Sequence, residues 1–125
     1  MILIIGGTSH GKLSYVKEKV GEVSVAVDFE GAKTGRIFDK MHLAIRELQK
    51  NGGDPEAALD AVLESNPGVI IICDEIGGGV VPIEPEERQW RETVGRLCHK
   101  LAQRADFTER IFFGIPMRLA GDKDW

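Results

Sequence analysis

The segment that most limits how this chain can fold is its first stretch, Met-Ile-Leu-Ile-Ile-Gly-Gly-Thr-Ser-His-Gly-Lys-Leu. Five consecutive apolar residues, Met1 to Ile5, form a buried-strand run that ends abruptly in the pattern Gly6-x-x-x-x-Gly11-Lys12. Glycines at those positions let the main chain curl so that successive N–H groups point inward, and the lysine adds a mobile positive charge. A helix that starts directly after such a loop contributes the positive end of its dipole. Strand, loop and helix together predict a phosphate-binding loop, with Gly6, Gly7, Thr8, Ser9, His10, Gly11, Lys12, Leu13 and Ser14 as the residues that wrap a polyphosphate. His10 either donates to a phosphate oxygen or is simply exposed. The residue after the lysine, where this motif usually carries a Mg²⁺-binding Ser or Thr, is Leu13. Ser14 follows, but one step along a helix turns a side chain by about 100°, so it does not simply take over that role.

The length of 125 residues fits one domain with a three-layer core. A net charge of -4 gives no basic excess for nucleic-acid binding, so an anion binder of this composition must concentrate its positive field locally. The apolar start is too short for a membrane span and lacks the charged flank of a signal peptide. Cys73 and Cys98 lie in an apolar run and a helix-like stretch, which suits reduced, packed thiols and a cytoplasmic setting.

Along the chain, residues 12–20 read as a helix that Gly21 ends. Val23, Val25 and Val27 alternate with small residues, predicting a second strand over about 22–28, followed by a loop over 31–35. The spacing of Phe38, Met41, Ile45 and Leu48 predicts a helix over 36–50. Asp54-Pro55-Glu56 carries an N-cap, a helix-starting proline and an acidic first turn, so another helix should run to about residue 65. Val69 to Cys73 is a continuous apolar run, as in a central strand covered on both faces. Pro85-Glu86-Glu87 opens a long helix to about 104, with the stripe Trp90, Val94, Leu97 and Leu101. A last strand is expected over 111–115, with a polar, loosely held tail from Leu119. The alternation of strands and helices predicts an α/β fold with a mostly parallel sheet and a ligand site at the carboxyl ends of the strands.

Asp74 and Glu75 end the central run and resemble a Walker B sequence, in which one carboxylate holds the Mg²⁺ shell and the next orients the attacking group. Asp28 also ends a strand-like run. Either Asp28 or Asp74 could be the metal-shell acid, and Asp28 could equally cap the loop that follows. His42 falls on a helical stripe, where a histidine at the edge of the core is the default reading. Gly95, in the middle of the long helix, suggests close packing there, and Arg96 beside it could reach an anion or a neighbouring subunit.

Gly6-Gly7-x-x-x-Gly11-Lys12, then Asp74-Glu75-Ile76-Gly77-x-Gly79-Val80-Val81-Pro82, then Arg88-x-Trp90-Arg91-Glu92-x-x-Gly95-Arg96-Leu97, and finally Gly114-Ile115-Pro116 resemble, in this order, the adenosylcobinamide kinase/adenosylcobinamide-phosphate guanylyltransferase family of cobalamin biosynthesis. The resemblance implies a RecA-like P-loop NTPase fold, three-layered and single-domain. It further implies binding of ATP or GTP with Mg²⁺, phosphorylation of a corrinoid alcohol, transfer of GMP through a histidine, and assembly as a homo-oligomer. By the match, Gly6 to Lys12 would bind the nucleotide phosphates and Glu75 would lie in the active-site cleft, and the candidate catalytic residues are Lys12, Glu75, Asp74 and His42. His42 is the only histidine near the region where the family carries its guanylylated residue, and that region is abbreviated here.

Overall fold

The computed structural model describes residues 1–8, 11–76 and 84–125. Ser9, His10 and residues 77–83, which include most of the Asp74 to Pro82 signature, lie outside the described residues. The described residues form a six-stranded sheet in the order β2-β3-β4-β1-β5-β6. Its strands are β1 (Ile2–Gly6), β2 (Val25–Ala26), β3 (Ile37–Phe38), β4 (Ile70–Asp74), β5 (Phe107–Phe112) and β6 (Ile115–Ala120). Every pairing is parallel except that of β6 with β5. The helices are α1 (Lys12–Val20), α2 (Phe29–Ala32), α3 (Met41–Lys50), α4 (Pro55–Ser65) and α5 (Pro85–Arg104).

Alternation along the strands divides the core in two. Leu3, Ile71 and Cys73 face one side, where α2, α3, α4 and α5 bury Phe29, Ile45, Leu59 and Leu97 against them. Ile4, Ile70 and Ile72 face the other side and are covered by Tyr15 and Val16 of α1. The result is the three-layer α/β arrangement expected of the chain, with α1 alone on one face and four helices on the other. Among the described residues no helix is long and apolar enough to cross a membrane.

Several elements differ from the expectations. The strand predicted over 22–28 is only Val25–Ala26, and the loop predicted over 31–35 overlaps the short helix α2. The helix predicted over 36–50 is a strand and a helix: Ile37 and Phe38 extend beside Ile70 and Ile71 of β4, and α3 begins at Met41. Phe38 reaches the same core as Met41 and Ile45, but from the sheet. The strand predicted over 111–115 is a hairpin: β5 begins four residues earlier, at Phe107, and the chain turns back into β6 at Phe113 and Gly114, both at positive φ (50° and 74°) as a tight hairpin requires. The predicted loose tail is also anchored. Leu119 and Ala120 belong to β6, and the Trp125 indole meets the rings of Tyr15 and Phe107 edge-on at 5.9 and 5.2 Å. A Cβ added at Gly95 would meet nothing within 4 Å among the described residues, so no close packing by them explains that glycine. Arg96 pairs with Glu56 of α4.

Candidate nucleotide-binding site

The ladder between β1 and β4 sets Gly6 beside Asp74, so the first glycine of the loop and the first acid after the apolar run end together on one sheet edge. Gly6 is required there by space: a Cβ would lie 2.5 Å from the Ile111 carbonyl oxygen on β5. Gly11 takes the left-handed conformation (φ 81°) at the N-cap of α1 and supplies no side-chain cap. The amides of the first helical turn have no intrahelical acceptors, which leaves donors and a positive dipole end directed at the loop.

Lys12 is almost fully buried and held twice, by the Gly7 carbonyl at 2.6 Å and by Asp74 Oδ1 at 2.7 Å. The other Asp74 oxygen accepts from Thr8 Oγ1 at 2.9 Å and lies 3.3 Å from His42 Nε2. The Asp74 main-chain N–H donates to His42 Nδ1 at 3.1 Å. Because Nδ1 accepts, the ring proton sits on Nε2, facing the carboxylate. Asp74 thus engages both ring nitrogens of His42. Trp90 of α5 fixes the same residue from behind by donating its indole N–H to the His42 carbonyl at 2.7 Å.

Burial alone would raise the Asp74 carboxyl, but the hydrogen bonds from Lys12 and Thr8 and the nearby positive charge outweigh it and hold the group below the usual range. His42 is shifted down by burial, with the Asp74 charge only partly compensating, so the ring is neutral. Both shifts agree with a charged Lys12–Asp74 pair buttressed by a neutral imidazole.

The cavity in front of this cluster has a volume of about 480 Å³, and Thr8, Lys12, Ser14, His42 and Asp74 line it. It also contains Asp39, which sequence reasoning missed. Asp39 follows β3 directly, is buried, and its carboxyl is shifted up by burial despite Lys40 and Lys12 nearby. The signal was present, since Ile37-Phe38-Asp39 repeats in short form the apolar-run-then-acid pattern of Ile72-Cys73-Asp74. Reading Phe38 as part of a helical stripe concealed it.

Other candidates fall elsewhere. Leu13 and Ser14 both line the cavity, and Leu13 also packs against the apolar cluster beneath α1. Glu75 lies outside it. Successive strand-end residues point to opposite faces, and Glu75 is tied through both oxygens to Arg110 of β5, at 2.8 and 3.0 Å. Asp28 caps α2 by accepting from the Gly31 amide at 2.7 Å and does not line the Lys12 cavity.

A family model described as cobinamide kinase / cobinamide phosphate guanyltransferase matches residues 40–119, from the N-cap of α3 into β6. The chain is also 31% identical over 74 residues to the bifunctional adenosylcobalamin biosynthesis protein CobP of Pseudomonas aeruginosa strain PAO1. That match covers 59% of this chain and 43% of the relative, so the chain shares less than half of that protein's length. With the model matching well over half of its residues, the chain belongs to the cobinamide kinase / cobinamide phosphate guanyltransferase family.

Proposed function

We propose that the protein binds ATP or GTP at the Gly6 to Lys12 loop and transfers the terminal phosphoryl group to a corrinoid alcohol. The observation that carries this reading is the juxtaposition of Lys12 and Asp74, 2.7 Å apart at the start of α1 and the end of β4. In this reading the phosphates take Lys12 over from the Gly7 carbonyl and Asp74, and the N-terminal amides of α1 bind the phosphate oxygens. Asp39 is assigned the acceptor hydroxyl in place of Glu75. It faces the same cavity, and a carboxyl shifted up by burial is a better proton acceptor than an ordinary aspartate. Glu75 instead holds Arg110 at the sheet edge.

The residues present suit Mg²⁺. Among the described residues no three His, Cys, Asp or Glu side chains gather into a metal cage, but Mg²⁺ commonly binds through one or two carboxylates and the substrate's own phosphates. Asp74, with the Thr8 hydroxyl beside it, would hold the ion. Bound there, it would neutralise charge on the β- and γ-phosphates. His42 is assigned a positioning role. Nucleophilic attack needs a free ring lone pair, and the one on Nδ1 is occupied by the Asp74 amide. Guanylyl transfer at this residue would therefore first have to break that bond.

Leu13 in the place of a hydroxyl residue favours a second reading, a nucleotide binder without turnover. Incubation with adenosylcobinamide, Mg²⁺ and γ-labelled ATP or GTP separates the two. Label in the corrinoid product is expected. Tight nucleotide binding with no labelled product would overturn phosphoryl transfer and leave the binder, whereas covalent GMP on protein from α-labelled GTP, lost in His42→Ala, would overturn the positioning role.

A further inference from the structure

Beside the phosphate cavity lies a larger one, about 730 Å³, between the carboxyl end of β2 and helices α2, α3 and α4. Its walls are mainly apolar, with Val27, Leu43, Leu48, Ala58 and Ala61 among them. Val27 and Leu43 are 58% and 46% exposed, unusual for branched aliphatic side chains with neighbours on several sides. Three carboxylates, Asp28, Glu30 and Glu47, stand among the same walls. An apolar lining with a few polar groups, at this volume, is the composition of a site for an organic ligand.

The two cavities are neighbours, with Lys40 and Leu43 in the linings of both. Lys40 is a non-glycine residue held in the left-handed region (φ 57°) as the N-cap of α3, the kind of local strain that concentrates at functional sites. Among the described residues no carboxylate lies within ion-pair distance of its ammonium group. Phosphoryl transfer needs the acceptor in line beyond the terminal phosphate, and it needs positive charge where the group passes. The small cavity is lined largely by polar and charged side chains and suits phosphates. The large one suits the apolar body of an acceptor.

We propose that the larger cavity seats the acceptor alcohol, an amphiphile with a broad apolar body and hydrogen-bonding groups at its edge. Its hydroxyl reaches the Asp39 and Lys12 side past Lys40, which neutralises the phosphoryl group in transit. The rim carboxylates accept from N–H donors on the edge of the ligand, such as the amide side chains of cobinamide. In the transfer, the acceptor oxygen forms a bond to the terminal phosphorus as the bridging oxygen of the nucleotide leaves, and the hydroxyl proton passes to Asp39. This inference rests on the phosphoryl-transfer reading and adds to it where the acceptor lies.

Equilibrium dialysis of the full chain against cobinamide, followed by its visible absorbance, tests the proposal without requiring turnover. Ala58→Trp fills the cavity from α4, and Val27→Glu places a charge on its solvent-facing wall where folding is little at risk. Both variants should weaken cobinamide binding at least tenfold while ATP binding stays within twofold of the wild type. Equal cobinamide affinity in the wild type and both variants would overturn the proposed seat and leave the transfer reading standing. Wild-type protein that binds ATP but no cobinamide would remove the transfer reading, and this inference with it.

Discussion

Replacing Asp74 with Asn should tighten metal-free nucleotide binding, although Asp74 is placed at the heart of the site. In the structure its carboxylate holds Lys12 at 2.7 Å, so an incoming polyphosphate must compete for the lysine and approach a second negative charge. Two unit charges about 4 Å apart interact by about 4 kcal/mol at an effective dielectric of about 20 and by about 1 kcal/mol in bulk water. The cavity opens to solvent while the Asp74 side chain is only 16% exposed, so the repulsion falls between these limits. Asn removes the charge, and its amide can still accept from Thr8 and from His42 Nε2, while the main-chain bond to His42 Nδ1 is untouched. A gain of about 1–3 kcal/mol makes metal-free ATP bind roughly 5–150-fold more tightly. The Mg²⁺ enhancement, which needs the carboxylate, should disappear. Without nucleotide the variant loses about 2 kcal/mol of stability, because Lys12 is left buried with only a carbonyl partner. Calorimetric titration with ATP, in chelator and in Mg²⁺, reads both effects, and urea unfolding reads the third. Weaker metal-free binding by the variant, or a Mg²⁺ dependence equal to that of the wild type, would refute the argument.

Two further perturbations test the frame around the site. The folded pKa of His42 is depressed below its ordinary 6.5, so as pH falls through that value the unfolded chain takes up a proton that the folded chain refuses. Stability should therefore drop on acidification from about pH 7 towards 5.5, by up to about 1.4 kcal/mol per pH unit, and rise again with pH. His42→Gln should flatten that limb in urea denaturation series, and an unchanged slope would show that another group is titrating. Ile71, wholly buried between β3 and β1, should cost about 3 kcal/mol on replacement by Ala, read as a lower urea midpoint at constant slope.

What could be read from the sequence was local. The strand, glycine loop and lysine at the start are written in consecutive residues, and so is the start of α4, where Asp54 Oδ1 accepts from the amides of Glu56 and Ala57 at 3.1 and 3.2 Å. Strand β3 was hidden for two reasons. Two residues are too few to display a period, and Phe38 happens to be in phase with the stripe of α3. Its strand character comes from pairing with Ile71, thirty-three positions away. Losing β3 also meant losing Asp39, because an acid at a strand end draws notice only when the strand is recognised. Glu75, which lies outside the Lys12 cavity and pairs with Arg110, is a different case. It follows Asp74 directly on an extended chain, and alternation alone required that only one of the two face Lys12. The anchoring of Trp125 could not be foreseen, since it depends on Tyr15 and Phe107 meeting on the α1 face of the sheet.

The contacts that hold Lys12 in place would oppose a polyphosphate, and this fixes how the proposed site must respond. Lys12, Thr8 and His42 all converge on one carboxylate, so a polyphosphate that draws Lys12 away leaves Asp74 with excess negative charge in a partly buried place. Two groups can restore the balance, a divalent cation at Asp74 or a proton on His42. The imidazole is poorly suited to this, because its Nδ1 is held by the Asp74 amide and burial disfavours its charged form. A divalent cation suits the place better, since Mg²⁺ commonly binds through a carboxylate together with substrate phosphates. It follows that Mg²⁺ and nucleotide should bind with positive coupling that depends on Asp74, and that lowering the pH should not substitute for the metal. The His42 carbonyl accepts from the Trp90 indole of α5, and the Arg46 guanidinium lies 4.3 Å from the Trp90 ring, so the indole touches this cluster directly. Trp90 fluorescence is therefore the natural reporter of that coupling, and a signal that follows nucleotide equally with and without Mg²⁺ would count against it.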